Sequence, residues 1–319
     1  MQTTAIVVKP QATAELAILE TQRQDFAMGS RADNTKRAYT GNWRTFCDWC
    51  AERGVASLPT SPDTLSLYIT DRAGSAKVAT LQQALSSIAK AHKMAGHEDP
   101  RNEAVRSVWE GIRRAKGIAP TRKAAAVTDE IKLLVAATPD TLKGTRDRAL
   151  ILIGVAGAFR RSELVALDLA DVDFAPEGAR VTIRRSKTDQ EGAGDTIGIP
   201  YGTNPETCPV RSLMAWLKAA KIEEGALFRR INRHGHLGER LTAQSVALVV
   251  KELAAAAGLA ASRYAGHSLR AGLATSAAAA GVSLDVLMSQ TRHKSTTVAM
   301  GYIRRANIFT RNAAASVGL

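Results

Sequence analysis

Residues 180–200 read RVTIRRSKTDQEGAGDTIGIP, and only around them, between 172 and 200, does strand-like alternation replace helical spacing in this chain of 319 residues. Arg180 to Arg185 and Asp195 to Pro200 alternate like strands, and KTDQEGAG between them reads as a Gly-rich turn. The expectation is a small antiparallel sheet set inside a mainly α-helical chain. Toward the carboxyl end the alanine-rich stretches 242–257 and 267–280 read as helices. On the amino-terminal side TDEIKLLVAAT opens a helix that the Thr128 hydroxyl can cap, and an apolar run follows from Ala149 to Phe159.

Further upstream, AKGIAPTRKAAA has no apolar period and contains Gly, Pro and charges, so residues 115–127 read as a linker. Before it lies a helical bundle over 31–114. Tyr39, Trp43, Phe46 and Trp49 recur at three- and four-residue spacing, as on a buried helical stripe ending at Gly54. Ser61-Pro62 supplies a cap and first-turn proline for the next helix, and helices follow near 77–95 and 103–116. Residues 1–30 read as a loosely held extension, and 128–319 as the second domain.

The length itself favours two domains. The chain carries 43 Lys plus Arg against 30 Asp plus Glu, a formal +13 shared almost evenly as +6 over residues 1–127 and +7 over 128–319. Two basic domains suggest a polyanion held from two sides, or simply a protein kept soluble by its positive charge. Three cysteines give no disulfide framework, the start lacks the stages of a secretory signal, and the 11-residue apolar run is shorter than a bilayer crossing needs. A reducing cytoplasm and no membrane are therefore expected.

Several polar residues stand out from this helical grammar. Arg160 and Arg161 follow the apolar run, with Ser162-Glu163-Leu164 behind them. Lys187 lies at the tip of the strand pair. His267 and Arg270 share one helix face, three residues apart, and His293 and Tyr302 stand nine apart. Each has an ordinary explanation: Arg160 can pair with Glu163, Lys187 can be a solvated turn, and His267 can cap its helix. Together they suit metal-free attack on a phosphodiester. Arginine's planar fork binds two phosphate oxygens and stays charged. A lysine or imidazole can protonate a leaving oxygen, and a phenol can be the nucleophile once an imidazole takes its proton. No cofactor is called for. Cys47-x-x-Cys50 has metal spacing, but both cysteines fall on the aromatic stripe, and His234-x-His236 lacks accompanying carboxylates; no metal site is read at either place.

At these residues the chain resembles the tyrosine recombinases, or phage integrases. The family's first box, an apolar helix end followed by Arg-x-Ser-Glu-Leu, is similar to Phe159-Arg160-Arg161-Ser162-Glu163-Leu164. Its second, His-x-Leu-Arg, is matched by His267-Ser268-Leu269-Arg270. The later histidine and the tyrosine nine residues on are matched by His293 and Tyr302, and the hairpin lysine by Lys187. Trp49-Cys50, Thr80-Leu81-Gln82-Gln83 with His92, and MGYIRR around Tyr302 look closest to the Cre subgroup. Two departures stand out: Thr291-Arg292 replaces the usual Leu-Gly before the third-box histidine, and Ala158 replaces a glycine two before the first arginine.

The resemblance implies a two-domain, C-shaped DNA clamp, with 31–114 as a DNA-binding domain and 128–319 as a catalytic domain. A helix over 306–317 would be exchanged between subunits. It implies a site-specific recombinase in which Tyr302 forms a 3′-phosphotyrosyl bond. Arg160 and Arg270 would clamp the phosphate, His267 accept the phenol proton, Lys187 protonate the leaving oxygen, His293 bond the phosphate and Glu163 orient its neighbours. Arg37, Arg44, Thr80, Gln83 and Gln244 fall where the family's helices meet DNA. The implied partner is double-stranded DNA bearing an inverted repeat, bound by a dimer per site and a tetramer per pair of sites. The implied setting is the nucleoid of a bacterial cytoplasm. Rival readings are a DNA-relaxing enzyme of type IB topoisomerase chemistry, a non-catalytic DNA-binding regulator and, less favoured for want of a carboxylate cluster, a metal-dependent nuclease.

Overall fold

The computed structural model describes residues 15–19, 21–23, 33–119, 123–186, 194–309 and 312–317. The chain divides between residues 121 and 122 into two compact units. In the first, the helices Asp33–Glu52, Pro62–Ala73, Val78–Met94 and Glu103–Lys116 begin and end where their side chains dictate. Ser61 Oγ accepts the Thr64 N–H (3.1 Å) just ahead of Pro62, and Asn102 Oδ1 accepts that of Val105 (3.1 Å). Gly54 and Gly96, at φ 65° and 77°, turn the chain out of two of these helices. The aromatic stripe becomes the core: Phe46 and Trp49 meet the edge of Tyr68 at 4.9 and 5.3 Å between centroids, over Leu65, Ile69, Leu85 and Ile88. His92 is a core residue, its Nε2 accepting the Thr60 N–H (2.9 Å) and its Nδ1 facing Ile88 O (2.9 Å). Cys50 lies buried in the same core beside half-buried Cys47, and burial pushes its thiol pKa up.

In the second unit the Leu142–Ala156 helix runs through the centre, with Leu150, Ile151 and Ile153 fully buried against the Pro209–Ala220 helix and Trp216. Trp216 buries its indole because Nε1 donates to Leu227 O (2.8 Å). Strands β1 (Val172–Ala175), β2 (Gly178–Ile183) and β3 (Asp195–Pro200) form an antiparallel sheet in that order, with Arg180 opposite Gly198 and Ile183 opposite Asp195. Ala179, Val181 and Ile183 of β2 and Ile197 and Ile199 of β3 face the core, as their alternation requires. At the turn end of this hairpin Arg184 bonds Asp171 (2.6 Å) and Asp168 (2.9 Å), and Arg240 also pairs with Asp168. The turn, residues 187–193, lies outside the described residues and Lys187 with it.

Some sequence expectations need correction. The Thr128–Ala136 helix is capped at Val127, whose N–H is taken by Glu130 Oε2 (3.0 Å), while the Thr128 N–H donates to Ser276 Oγ (3.1 Å). Ala124 and Ala126, in the stretch read as linker, donate to Arg263 O (2.7 Å) and Ser268 O (3.0 Å) and are stitched into this unit. A second, two-stranded sheet pairs β4 (Arg229–Ile231) with β5 (Leu237–Arg240). These strands are too short and charged to alternate visibly, and His234 and His236 are exposed in the turn between them, where Asn232 Oδ1 accepts both their N–H groups. The helix expected over 306–317 is not continuous. The Thr296–Ala306 helix ends there, 307–309 are a turn, and a single helical turn, Ala313–Ser316, follows with Asn312 bonded to the Ala314 N–H. No helix among the described residues is long and apolar enough to cross a membrane.

Candidate active site

The Leu142–Ala156 helix leaves its last turn through Gly157 and Ala158, and Ala158 takes left-handed backbone at φ 46°. That bend turns Phe159 inward and sets Arg160 at the start of the Arg161–Ala166 helix. Glu163, 3 % exposed, reaches back to it: Oε2 accepts the Arg160 N–H (2.9 Å) and Oε1 accepts Arg160 Nη1 (2.5 Å). Burial would raise the Glu163 pKa, but the Arg160 N–H, the Arg160 guanidinium and the charge of Arg292 outweigh it and hold the carboxyl below its usual range.

His267 and Arg270 come from the first turn of the His267–Ala279 helix. Arg270 is 1 % exposed; its Nη1 donates to Ala158 O (2.7 Å), and its Nη2 has no hydrogen-bond partner among the described residues. A buried guanidinium with an unpaired nitrogen is costly unless an acceptor arrives. Burial and the neighbouring Arg160 and Arg292 push its pKa down to about 10. His267 keeps a solvent-exposed edge, yet its partial withdrawal from water and the charges of Arg270, Arg160 and Arg161 lower its pKa.

The third part is the bend between the Leu284–Thr291 and Thr296–Ala306 helices. Thr291 Oγ1 donates its one hydrogen to Leu287 O (2.6 Å) and stands 2.7 Å from His293 Nδ1. With that hydrogen used, the contact requires Nδ1–H to donate, so neutral His293 keeps a lone pair on Nε2. Burial first, then Arg270 and Arg160, bring the His293 pKa down to about 4. Tyr302 packs among Ala271, Ala274 and Leu287, its ring 5.7 Å from that of His293, with the Arg305 guanidinium 4.8 Å from its centroid.

Arg160, Glu163, His267, Arg270, His293 and Tyr302 are thus drawn toward one region of the second unit by charge and contact. Arg292, between Thr291 and His293, joins them as a third guanidinium: Nη2 bonds Glu163 Oε2 at 3.0 Å. Sequence reading noticed Arg292 only as a departure before a histidine; the signal was a long cationic side chain where a glycine is usual. Among the DNA-contact candidates, Arg37 and Arg44 are exposed on the Asp33–Glu52 helix, Thr80 and Gln83 on Val78–Met94, and Gln244 on the first turn of Ala243–Ala256. Among the described residues no cluster of three or more His, Cys, Asp or Glu side chains could hold a metal.

Three guanidiniums against one carboxylate, with a phenol and two imidazoles beside them, are the groups that binding an anion and attacking it with a nucleophile would call for. The chain belongs to the phage integrase family, the tyrosine site-specific recombinases: residues 127–307 match that family. It is 43% identical over 290 residues to an integrase/recombinase XerD homolog of Selenomonas ruminantium, covering 89% of this chain and 85% of the relative. Against the Cre recombinase of Escherichia phage P1 the identity is 23% over 285 residues, covering 82% and 81%. The reading that placed the chain closest to Cre is therefore not upheld, because the shared tryptophan, glutamine and tyrosine stretches are too few to outweigh the remaining positions. The fold is also similar to that of the Tn1549 transposon integrase in complex with transposon right end DNA, at a TM-score of 0.61 and 16% identity, covering 90% of this chain and 96% of that one.

Proposed function

We propose that this recombinase cuts and rejoins duplex DNA through Tyr302. The phenol oxygen forms a bond to the scissile phosphorus as the bond to the 5′ oxygen breaks, leaving a 3′-phosphotyrosyl bond and a free 5′-hydroxyl. Arg160 and Arg270 take the non-bridging oxygens, and Glu163 holds Arg160 in place. Lys187 delivers a proton to the departing oxygen. His267 accepts the phenol proton, and His293 bonds the phosphate once its Nε2 has taken up a proton. A second assignment exchanges the imidazoles: the nearness of the His293 and Tyr302 rings and the open Nε2 lone pair favour His293 as the proton acceptor. The phosphoester energy is kept in the enzyme–DNA bond, so rejoining needs neither metal nor ATP.

The observation that carries this reading is Arg270, a buried guanidinium whose Nη2 has no hydrogen-bond partner among the described residues, close to Glu163-bound Arg160 and to Tyr302. The basic charge of both units supports a clamp around DNA in which Arg37, Arg44, Thr80, Gln83 and Gln244 meet the duplex. Exposed Ile308, Phe309 and Val317 support docking of the C-terminal segment on a neighbouring subunit, and so a dimer per site and a tetramer on two sites. The test is a nicked suicide substrate in EDTA. The wild type is expected to form a covalent protein–DNA adduct through Tyr302, and Tyr302→Phe none. DNA binding without an adduct would leave a regulator, and cleavage abolished by EDTA a nuclease.

A further inference from the structure

Arg292 is held under two penalties that a passive residue would not bear. Its backbone lies in the left-handed region at φ 54° and ψ 44°, which a side chain with a Cβ adopts under strain. Its side chain is only 7 % exposed, its Nε has no hydrogen-bond partner among the described residues, and it sits near the Arg160 and Arg270 guanidiniums. In return it ties together the parts of the site. Nη1 donates to Gly157 O (3.0 Å) and Gln290 O (3.1 Å), and Nη2 to Ala158 O (3.2 Å) and Glu163 Oε2 (3.0 Å). Its guanidinium carbon lies 5.4 Å from the Phe159 ring centroid. Ala158 O is also the acceptor for Arg270 Nη1. A single fork thus joins the bend that presents Arg160, the carbonyl that anchors Arg270 and the backbone leading into His293.

The bond to Glu163 has a chemical consequence. Glu163 meets the Arg160 guanidinium through Oε1 alone, because Oε2 is shared between the Arg160 N–H and Arg292 Nη2. Without Arg292 that oxygen would be open to a second, bidentate bond from the Arg160 fork, drawing it toward the carboxylate. We propose that Arg292 is a positioning residue for strand cleavage, whose guanidinium holds Glu163 and the Gly157 and Ala158 carbonyls so that Arg160 and Arg270 keep nitrogens free for the scissile phosphate. This rests on the phosphotyrosyl reading above.

Glycine at 292 separates backbone from side chain, since Arg292→Gly suits the left-handed turn while removing the side chain and its guanidinium. Single-turnover adduct formation on the nicked duplex is measured with protein saturating, at 20 °C, alongside DNA affinity. Arg292→Gly is expected to cleave 10- to 100-fold more slowly with affinity within about twofold of wild type, and millimolar methylguanidinium to restore part of the rate. Cleavage within twofold of wild type would overturn the proposal. Should Arg292→Gly not bind DNA, Arg292→Lys keeps charge and length but cannot span two carbonyls and a carboxylate; at least a fivefold loss of rate with binding retained is expected, and a wild-type rate or lost binding overturns the inference. Absence of an adduct from the wild type itself would instead sink the functional reading.

Discussion

At His293 one hydroxyl hydrogen decides which ring nitrogen is open. Because Thr291 gives its hydrogen to Leu287 O, the ring must present Nδ1–H to Thr291 and a lone pair at Nε2. An unperturbed histidine titrates near 6.5, whereas this one is brought to about 4. Between those values the unfolded chain binds a proton that the folded chain refuses. The contribution of His293 to stability is therefore complete above about pH 6.5 and declines as the pH falls toward 4. In DNA-free protein, nitrogen-detected NMR of the ring is expected to show the neutral Nδ1–H form at pH 6, and Thr291→Val to give a mixture of tautomers. A protonated ring at pH 6, or Nε2–H in the wild type, would defeat this reading. The sequence named His293 and Tyr302 by their spacing, but it could not show the tautomer or the part played by Arg292. The tautomer depends on how the Thr291 hydroxyl meets the Leu287 carbonyl, and the part played by Arg292 on its backbone angles and on carbonyls more than a hundred residues away.

Among the elements, helices declared themselves because one face of each is apolar and because Ser61-Pro62 marks a start, while the Asn102 and Thr242 caps emerged only with the structure. The β2–β3 hairpin was legible for the same reason, its inner face being Val181, Ile183, Ile197 and Ile199. The β4–β5 pair was not, since RRI and LGER hide no face. The segment before Val127 looked like a linker because alanine has no period; its role is set by close approach of backbones. A Cβ on Gly272 would stand 1.8 Å from Ala126 O, so this glycine is what lets the His267–Ala279 helix lie against that segment. Gly272→Ala is expected to lower stability by about 1–3 kcal/mol in urea denaturation and to slow adduct formation more than it weakens DNA binding, because the displaced helix carries His267 and Arg270. Unchanged stability would mean that the segment yields freely.

Across the whole molecule, the phenol and the guanidiniums belong to the same unit of the same chain. Tyr302 is seated on Ala271 and Ala274, the residues of the Arg270 helix, rather than on a detached tail. A chain lacking the phenol and another lacking Arg270 therefore have nothing to trade. Mixed on one DNA site, Tyr302→Phe and Arg270→Ala protomers are expected to remain inert, and an adduct from the mixture would show that one subunit lends its nucleophile to the next. If the proposed mechanism holds, each half of a recombination site would be cut by the protomer that sits on it, and a partner would grant permission to react without supplying any part of the blade.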